Sequence, residues 1–313
     1  MERIRASFSL ALLLLTGCAS TQLDQAEQWQ SQLYTEHVLV GMIWDSRVGE
    51  FIGADELLAR IEGVSYLLLG EKHDNPDHHA LQLRSLDHVL QAGNVSAVSF
   101  EMMSSEQQPL LRDLPLSQES SLEQINEYLQ WDNDGWNWDY YGPLLRSAIR
   151  ADVLINAANI SSEEMMQVYG APTPAEIEGV LDEQTMAALD KDIDESHCGM
   201  LPESQFPAMT RVQQARDFAM ASSLASNTDQ QLQVLIAGNY HIRRDLGVPN
   251  YLLSRQPSLE ESQIVSLAFM EVDEASIEPV DYLQQFGSVK AYDYIWFTPA
   301  VSNEDYCASM RQQ

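Results

Sequence analysis

The sequence predicts an α/β fold, a mostly parallel sheet flanked by helices with a smaller helical subdomain formed by insertions. Three observations lead there. Continuous apolar runs of strand length recur along the chain, stretches with helical apolar spacing separate them, and two stretches of different composition interrupt the rhythm. A strand covered on both faces reads as an unbroken apolar run rather than an alternating one, and β and α elements in alternation form parallel sheets.

In chain order, Val38 to Trp44 reads as a strand, followed by a polar turn from Ser46 to Glu50 and a short helix from Asp55 to Ile61. Val64 to Leu69 is a buried strand. Asp74 or Asn75 is placed to cap a helix with Pro76 in its first turn and Gly93 at its end. Ala80, Leu83, Leu86 and Leu90 are assigned to its inward face. Val95 to Phe100, Val153 to Ala158, Leu232 to Ala237 and Ile264 to Phe269 are further strands, and Pro207 to Ala225 is a helix. The insertions are an aromatic-rich helical stretch at about 106–141 and an acidic one with several Pro and Gly at about 161–203. They are expected to pack together above the sheet edge.

The N-terminus reads as an address. Arg3 and Arg5 precede an apolar run from Phe8 to Leu15, about eight residues and within the range of a signal-peptide core. A bilayer span takes roughly 20 apolar residues. Leu15-Thr16-Gly17-Cys18 follows and resembles the lipobox of bacterial lipoproteins, in which cleavage before the cysteine leaves it to be acylated. Residues 1–17 are therefore expected to be a signal segment and Cys18 the lipidation site. Residues 18–36, polar and Gln-rich, are expected to be a tether, and 37–313 the α/β domain. No Asp follows Cys18, so the resemblance implies an outer-membrane anchor facing the periplasm.

The chain carries 47 acidic against 17 basic residues, a formal charge of −30. Loss of residues 1–17 removes Arg3, Arg5 and Glu2 and takes it to −31. Such a body is a poor partner for nucleic acid or for anionic membrane surfaces. The long-range field also disfavours anionic ligands, although salt screening leaves room for a local exception. Two cysteines remain beyond Cys18. Cys198 and Cys307 are either paired, as an oxidising compartment permits, or free.

Chemistry concentrates where apolar runs end, the edge at which open α/β sheets bind ligands. Glu71 and His73 directly follow one strand; two residues apart, they point the same way in extended chain. A carboxylate beside an imidazole serves metal binding or acid–base work, or holds a turn by hydrogen bonds. Glu101 ends the next strand. Gly238-Asn239-Tyr240-His241 ends a later one, its glycine permitting close approach and its histidine serving either the rim or a cap. His78 shares a helix face with Gln82 and is placed to look into the cleft, whereas His79 is placed in the packing. The run from Trp131 to Tyr141 either lines a pocket for a planar ligand or forms a satellite core. The pairs Met102-Met103 and Met165-Met166 read as gap-filling core. Of the consecutive Arg216 and Asp217, one is placed to anchor a carboxylate near the sheet or lies in solvent. The chain has no GxSxG, no phosphate-binding glycine loop, no HExxH and no paired CxxC, which counts against the ordinary serine-hydrolase, nucleotide and zinc-protease readings.

Taken in order, these segments resemble a known family. They are Leu68-Leu69-Gly70-Glu71-Lys72-His73-Asp74-Asn75 with His78-His79, Ser99-Phe100-Glu101, Ala158-Asn159-Ile160 and His197-Cys198-Gly199. Gln214-Ala215-Arg216-Asp217, Ala237-Gly238-Asn239-Tyr240-His241 and Gly247-Val248-Pro249 complete the set. Together, over about residues 38–270, they resemble the ChaN-like haem-binding lipoproteins. The resemblance implies haem binding in haem or iron uptake, with two haems face to face in a homodimer, and an outer-membrane haem receptor as a further partner. It makes Tyr240 and His241 the first candidates for iron ligation or its immediate support, and His73, His78 and the aromatic run the second. The same GExH and GNxH pattern is similar to a wider superfamily with erythromycin esterases and Tiki-type metalloproteases. That implies an alternative, a periplasmic hydrolase in which Glu71 or Glu101 is base or metal ligand and His73 and His241 are ligands or acid–base groups. A scaffolding lipoprotein with a degenerate site is a third reading, against which the full set of rim residues counts.

Overall fold

The computed structural model describes residues 29–112, 114–224, 231–283 and 288–310. The expected signal segment, Cys18 and the first part of the expected tether lie outside them. In chain order the elements are β1 (Ile43–Asp45), β2 (Glu50–Ile52), α1 (Ala54–Ile61), β3 (Tyr66–Glu71), α2 (Pro76–Ala92), β4 (Val95–Ser104), α3 (Gln108–Arg112), α4 (Leu122–Leu129) and α5 (Trp138–Arg150). They continue with β5 (Leu154–Asn159), α6 (Ser162–Gly170), α7 (Glu183–Ser196), α8 (Phe206–Leu224), β6 (Leu232–Gly238), α9 (Val248–Arg255), β7 (Ile264–Glu271), β8 (Tyr294–Thr298) and α10 (Tyr306–Met310).

The strands form one eight-stranded sheet in the order β2-β1-β8-β7-β3-β6-β4-β5. All pairs from β8 to β5 are parallel, and β1 and β2 add an antiparallel edge. The α/β fold with a mostly parallel, helix-flanked sheet is thus as the sequence predicts. β3 and β6 are buried throughout, which is why both read as continuous apolar runs. The chain runs from β3 through α2 to β4, leaving a gap that β6 later fills. Glu71 of β3 comes into register with Gly238 of β6, and the β4 end lies on the other side of β6.

One core cluster lies on each face. The first joins Leu67 and Leu69 of β3 to α1, α2 and α5; the second joins Tyr66 and Leu68 to α8 and α9. The two insertions divide between them rather than forming one unit. Leu111, Ile125, Leu129 and Trp131 belong to the first cluster, and Ile177, Leu181, Leu189 and Ile193 to the second. They approach at the rim, where Ser105 Oγ donates to Glu164 at 2.5 Å. The split follows from chain order: one insertion lies before β5 and the other after it, and the chain changes face between them.

Other elements differ from expectation. The first strand shrinks to Ile43–Asp45, because Val38 and Met42 face solvent and residues 38–41 make turns. β8 lies fully buried between β1 and β7 and is absent from the expected strands, its Tyr294-Ile295-Trp296-Phe297 being a short apolar run. Residues 29–33, placed in the tether, are bound to the body: the N–H groups of Gln30 and Ser31 both donate to Asp77 at 2.9 Å, and Leu33 bridges to Ala300.

Cys198 and Cys307 form a disulfide across 109 positions, with Cα atoms 5.3 Å apart, and fasten α10 to the loop after α7. Closing a loop that long removes much chain entropy from the unfolded state. Replacing both cysteines with serine is expected to lower stability by about 2–5 kcal/mol. A denaturation midpoint that falls by that amount, and that reductant then no longer affects, verifies the bond.

Candidate functional site

The rim is held from beneath by α2. Asn75 caps the helix by accepting from the N–H groups of Asp77 and His78, Pro76 supplies the first turn, and Gly93 ends it in the left-handed conformation. The inward face is polar at this end: His78, His79, Gln82 and Ser85 are buried, ahead of Leu86 and Val89, while Ala80 is exposed. Of the apolar face assigned from the sequence, Leu86 is core and Leu83 and Leu90 pack against it, whereas Ala80 turns to solvent and the first turns are buried through polar residues instead. The buried polar groups are there to bind the strand-end loop. Gln82 Nε2 donates to the Leu69 carbonyl at 2.9 Å, and His79 Nε2 to that of His73 at 3.1 Å.

His78 is not brought to the rim, contrary to its placement as a haem ligand candidate. It is fully buried. Its Nδ1 accepts from the Lys72 N–H at 2.9 Å, and its Nε2 meets Thr298 Oγ1 at 2.9 Å. Burial holds its pKa well below the ordinary histidine value, so it is a neutral structural link from β3 to β8.

Glu71, His73, Glu101 and His241 do converge. His73 Nδ1–H donates to Glu71 Oε1 at 2.6 Å, and the Tyr141 hydroxyl donates to the same oxygen at 3.1 Å. Glu71 Oε2 is buried and has no hydrogen-bond partner. On the other side of β6, Glu101 Oε2 accepts from the Gly238 N–H at 2.7 Å. A side chain at Gly238 would place its Cβ 3.1 Å from His73 Cε1 and 3.6 Å from Glu101 Oε2, so the glycine opens the space in which these two groups approach.

His241 is clamped between two buried carboxylates. Its Nδ1 lies 2.5 Å from Asp217 Oδ1 and its Nε2 3.3 Å from Glu101 Oε1. Burial alone would lower the imidazole pKa, but Glu101 and Asp217 outweigh it and raise the value to about 10. Burial would likewise raise the Glu101 carboxyl; the His241 charge outweighs it and brings the value down to about 2. For Asp217 burial wins over His241, and its pKa is raised. The trio is thus an imidazolium with both ring nitrogens donating. His73 differs: burial lowers its pKa, Glu71 outweighs that and raises it, and its Nε2 faces Gly238.

Beside this cluster lies a cleft of about 670 Å³ between α6, α7, α8 and the β6 end. Met165, Met166, Met209 and Val212, with the ring of Tyr169, give it an apolar wall, and its polar groups include Tyr240, His241, Arg216, Gln213 and the carboxylate Asp192. Its size falls in the range typical of small-molecule sites, roughly 300–1,000 Å³. The Tyr240 hydroxyl donates to Asp192 Oδ2 at 3.1 Å, and burial followed by the Asp192 charge pushes its pKa up. The Met165-Met166 pair, expected in the core, instead lines this cleft, and Met166 is 64% exposed. The aromatic run stands elsewhere. Trp131 and Tyr141 are core, and Trp136 packs edge-on against His73 at 4.8 Å. Among the described residues no group of three or more His, Cys, Asp or Glu side chains is arranged to hold a metal ion.

Several site residues escaped the sequence reading. Tyr141 was seen as part of an aromatic run, and nothing local marks it as the partner of Glu71, 70 positions earlier. Asp192 and Met209 carry no motif. Asp217 was singled out, and its role as the partner of His241 follows from α8 crossing beneath the β6 end.

The fold and rim define an α/β protein with a ligand cleft at the carboxyl edge of a parallel sheet. A profile of the family described as haem-binding uptake, Tiki superfamily, ChaN matches residues 57–252. The chain belongs to this ChaN family. Among solved structures, ChaN of Campylobacter jejuni with cofacially bound haem superposes with a TM-score of 0.67 at 22% identity, over 81% of this chain and 95% of that one, which shows a shared fold. An erythromycin esterase variant in its open conformation matches with a TM-score of 0.40 at 14% identity, over 69% of this chain and 68% of that one. A comparison with curated proteins gives no match.

The trio has a signature in pH. The His241 ring is expected to stay protonated through neutrality and to titrate near pH 10. Replacing Glu101 with Gln, or Asp217 with Asn, moves that titration toward the ordinary value of 6.5. A raised imidazole pKa stabilises fully below 6.5 and ceases to do so as pH rises through 10; a depressed carboxyl stabilises above 4.5 and ceases as pH falls through 2. The joint contribution of His241 and Glu101 therefore peaks between pH 4.5 and 6.5, while Asp217, with its raised pKa, contributes in the opposite sense as pH rises above 3.8. Imidazole proton shifts followed by NMR from pH 5 to 11, and unfolding midpoints over the same pH series, give the test; a ring that titrates near 6.5 in the wild type refutes the clamp.

Proposed function

We propose that this protein binds haem as cargo in the cleft between α6, α7 and α8, and serves haem or iron uptake from the periplasmic face of the outer membrane. The observation that carries the reading is the cleft itself: a largely apolar wall rich in methionine with two phenols, Tyr169 and Tyr240, the second next to His241 at the rim, in a member of a haem-binding family. The residues fit the group. A porphyrin face requires apolar contact, and a phenol oxygen is an established type of haem ligand. Haem would supply a Lewis-acidic iron, for which the Tyr240 oxygen is the candidate donor.

Tyr240 is the ligand of choice in this reading. Its hydroxyl already donates to Asp192, which gives the phenolic proton an acceptor when the oxygen is needed. His241 takes a supporting position, since both of its nitrogens are committed to carboxylates. The reading includes a homodimer with paired haems, by analogy with the cofacial haems of Campylobacter jejuni ChaN; the exposure of Met166 at the cleft supports it. Anchoring through lipidated Cys18 completes the proposal. The Cys198–Cys307 disulfide supports an oxidising compartment.

A second reading, a hydrolase, rests on the pairing of His73 with Glu71 beside Glu101. It makes His73 the acid–base group, since His73 Nε2 faces the Gly238 gap rather than a carboxylate clamp.

The test is a haemin titration of the soluble chain lacking Cys18, followed by the Soret band. Wild type is expected to bind saturably at about one haem per chain. Tyr240→Phe is expected to weaken binding at least about tenfold, or 1.4 kcal/mol, and to shift the band. His73→Ala leaves the band in place. Unsaturable, featureless binding would sink the haem reading and direct attention to ester and peptide hydrolysis centred on Glu71 and His73.

A further inference from the structure

We propose that Arg216 is the anion anchor of the cleft: its guanidinium takes a carboxylate of the bound ligand, which for haem is a propionate. The identity of the ligand rests on the haem reading; the anchor rests on the arginine's own surroundings.

Arg216 stands on α8 one residue before Asp217, so the two side chains leave the helix in different directions. Asp217 goes to His241. Arg216 goes to the junction of two hollows, the apolar cleft and a second, polar one that Glu101, Asn159 and Ser162 also line. There its Nη2 reaches the Met165 Sδ at 3.6 Å, and its Nε is buried without any hydrogen-bond partner. A thioether is a weak acceptor, and a buried N–H of a charged group is costly to leave unpaired.

The contrast with neighbouring arginines sharpens the point. Arg243 pairs with Asp245, Arg244 with Asp293, and Arg47 and Arg60 with Asp45. Among the described residues Arg216 makes no ion pair, in a chain with 47 acidic residues to 17 basic ones. Carboxylates share both hollows with it, Asp192 in the cleft and Glu101 in the other, yet none is within ion-pair distance among the described residues, so the guanidinium is available to an incoming one. Its planar fork matches a carboxylate with two parallel hydrogen bonds. It also answers the electrostatic objection to acidic ligands: the net field repels them at long range, and a local cation at the mouth of an apolar cleft selects those whose acid group projects from an apolar body. An amphipathic acid would lie with its apolar part against Met165, Met209 and Val212 and its carboxylate at Arg216.

The experiment compares haemin with its dimethyl ester, in which both propionates are blocked, on wild type and Arg216→Gln. Soret titrations are paired with quenching of tryptophan fluorescence by iron-free protoporphyrin and its ester, which removes iron ligation from the readout. A third arm uses anilinonaphthalene sulfonate, an apolar anion unrelated to haem. A hydrogen-bonded ion pair of this kind is worth roughly ten- to a hundredfold in affinity. Esterification is expected to weaken wild-type binding by that factor, Arg216→Gln to do the same to the free acid, and the two changes together to add little. Equal binding of acid and ester by the wild type, with or without iron, overturns the anchor while leaving haem binding intact. Failure of every porphyrin to bind, with sulfonate binding still lost in Arg216→Gln, leaves the anchor and removes the haem reading. Sulfonate binding indifferent to Arg216 in that case removes both. Should Arg216→Gln fail to fold, the acid and ester comparison on wild type decides alone, with Arg216→Lys as the second variant.

Discussion

An imidazolium locked between two buried carboxylates is the constraint around which this rim is built. Glu101 and Asp217 are both almost fully buried, and neither tolerates a charge there without His241. Removing one member of a buried, hydrogen-bonded ion cluster typically costs about 3–5 kcal/mol, because the remaining charge is stranded. That cost explains the local architecture. α8 must cross beneath the β6 end to present Asp217, β4 must run on beyond Phe100 to present Glu101, and the chain after Gly238 must turn at once to deliver His241. Fixing those three segments also fixes the wall of the cleft, since Tyr240 and Arg216 are the chain neighbours of His241 and Asp217. Rigid placement of the ligand-facing side chains is a by-product of satisfying the buried charges.

The sheet topology supplies the other half. β6 enters between β3 and β4 after more than a hundred intervening residues, so the two carboxylates that end β3 and β4 are separated by one strand rather than adjacent. The intervening position is a glycine, and the width of a strand without a side chain is the space in which His73 and Glu101 approach one another. A bulkier residue would divide the rim into two unconnected pairs.

Much of this was legible in the sequence because buried parallel strands announce themselves. β3, β4, β6 and β7 are apolar runs, and the polar residue that ends each run marks the rim; Glu71, Glu101 and His241 are found that way. The cap of α2 was legible for a similarly local reason, a polar residue ahead of Pro76 with Gly93 at the far end. What failed was whatever depended on long-range partners. At the start of α2, Ala80 and His78 depart from expectation because burial there follows hydrogen bonding to the strand-end loop rather than apolarity: His78, His79 and Gln82 are inside where the Lys72 N–H and the carbonyls of His73 and Leu69 need them. The Met165-Met166 pair reads as core in the sequence because a methionine against an open cleft and a methionine in a core carry the same local signature. The Cys198–Cys307 pairing needed a distance that no spacing encodes.

The clamp also decides which groups at this rim remain free to act. A histidine that acts as a base, or that ligates iron, must offer a lone pair at the working pH. His241 offers none: both of its nitrogens donate, and its pKa of about 10 keeps it charged at neutrality. What remains reactive at this edge is therefore divided by β6. On the Glu71 side, His73 has one nitrogen bound to the carboxylate and the other facing the Gly238 gap. On the cleft side, Tyr240 has a hydroxyl that leans on Asp192, and Arg216 has a guanidinium without a carboxylate. The first set is a single acid–base pair; the second is a phenol, a cation and an apolar wall. The second set is the larger and the better matched to a flat acidic ligand, and the haem reading follows from that asymmetry.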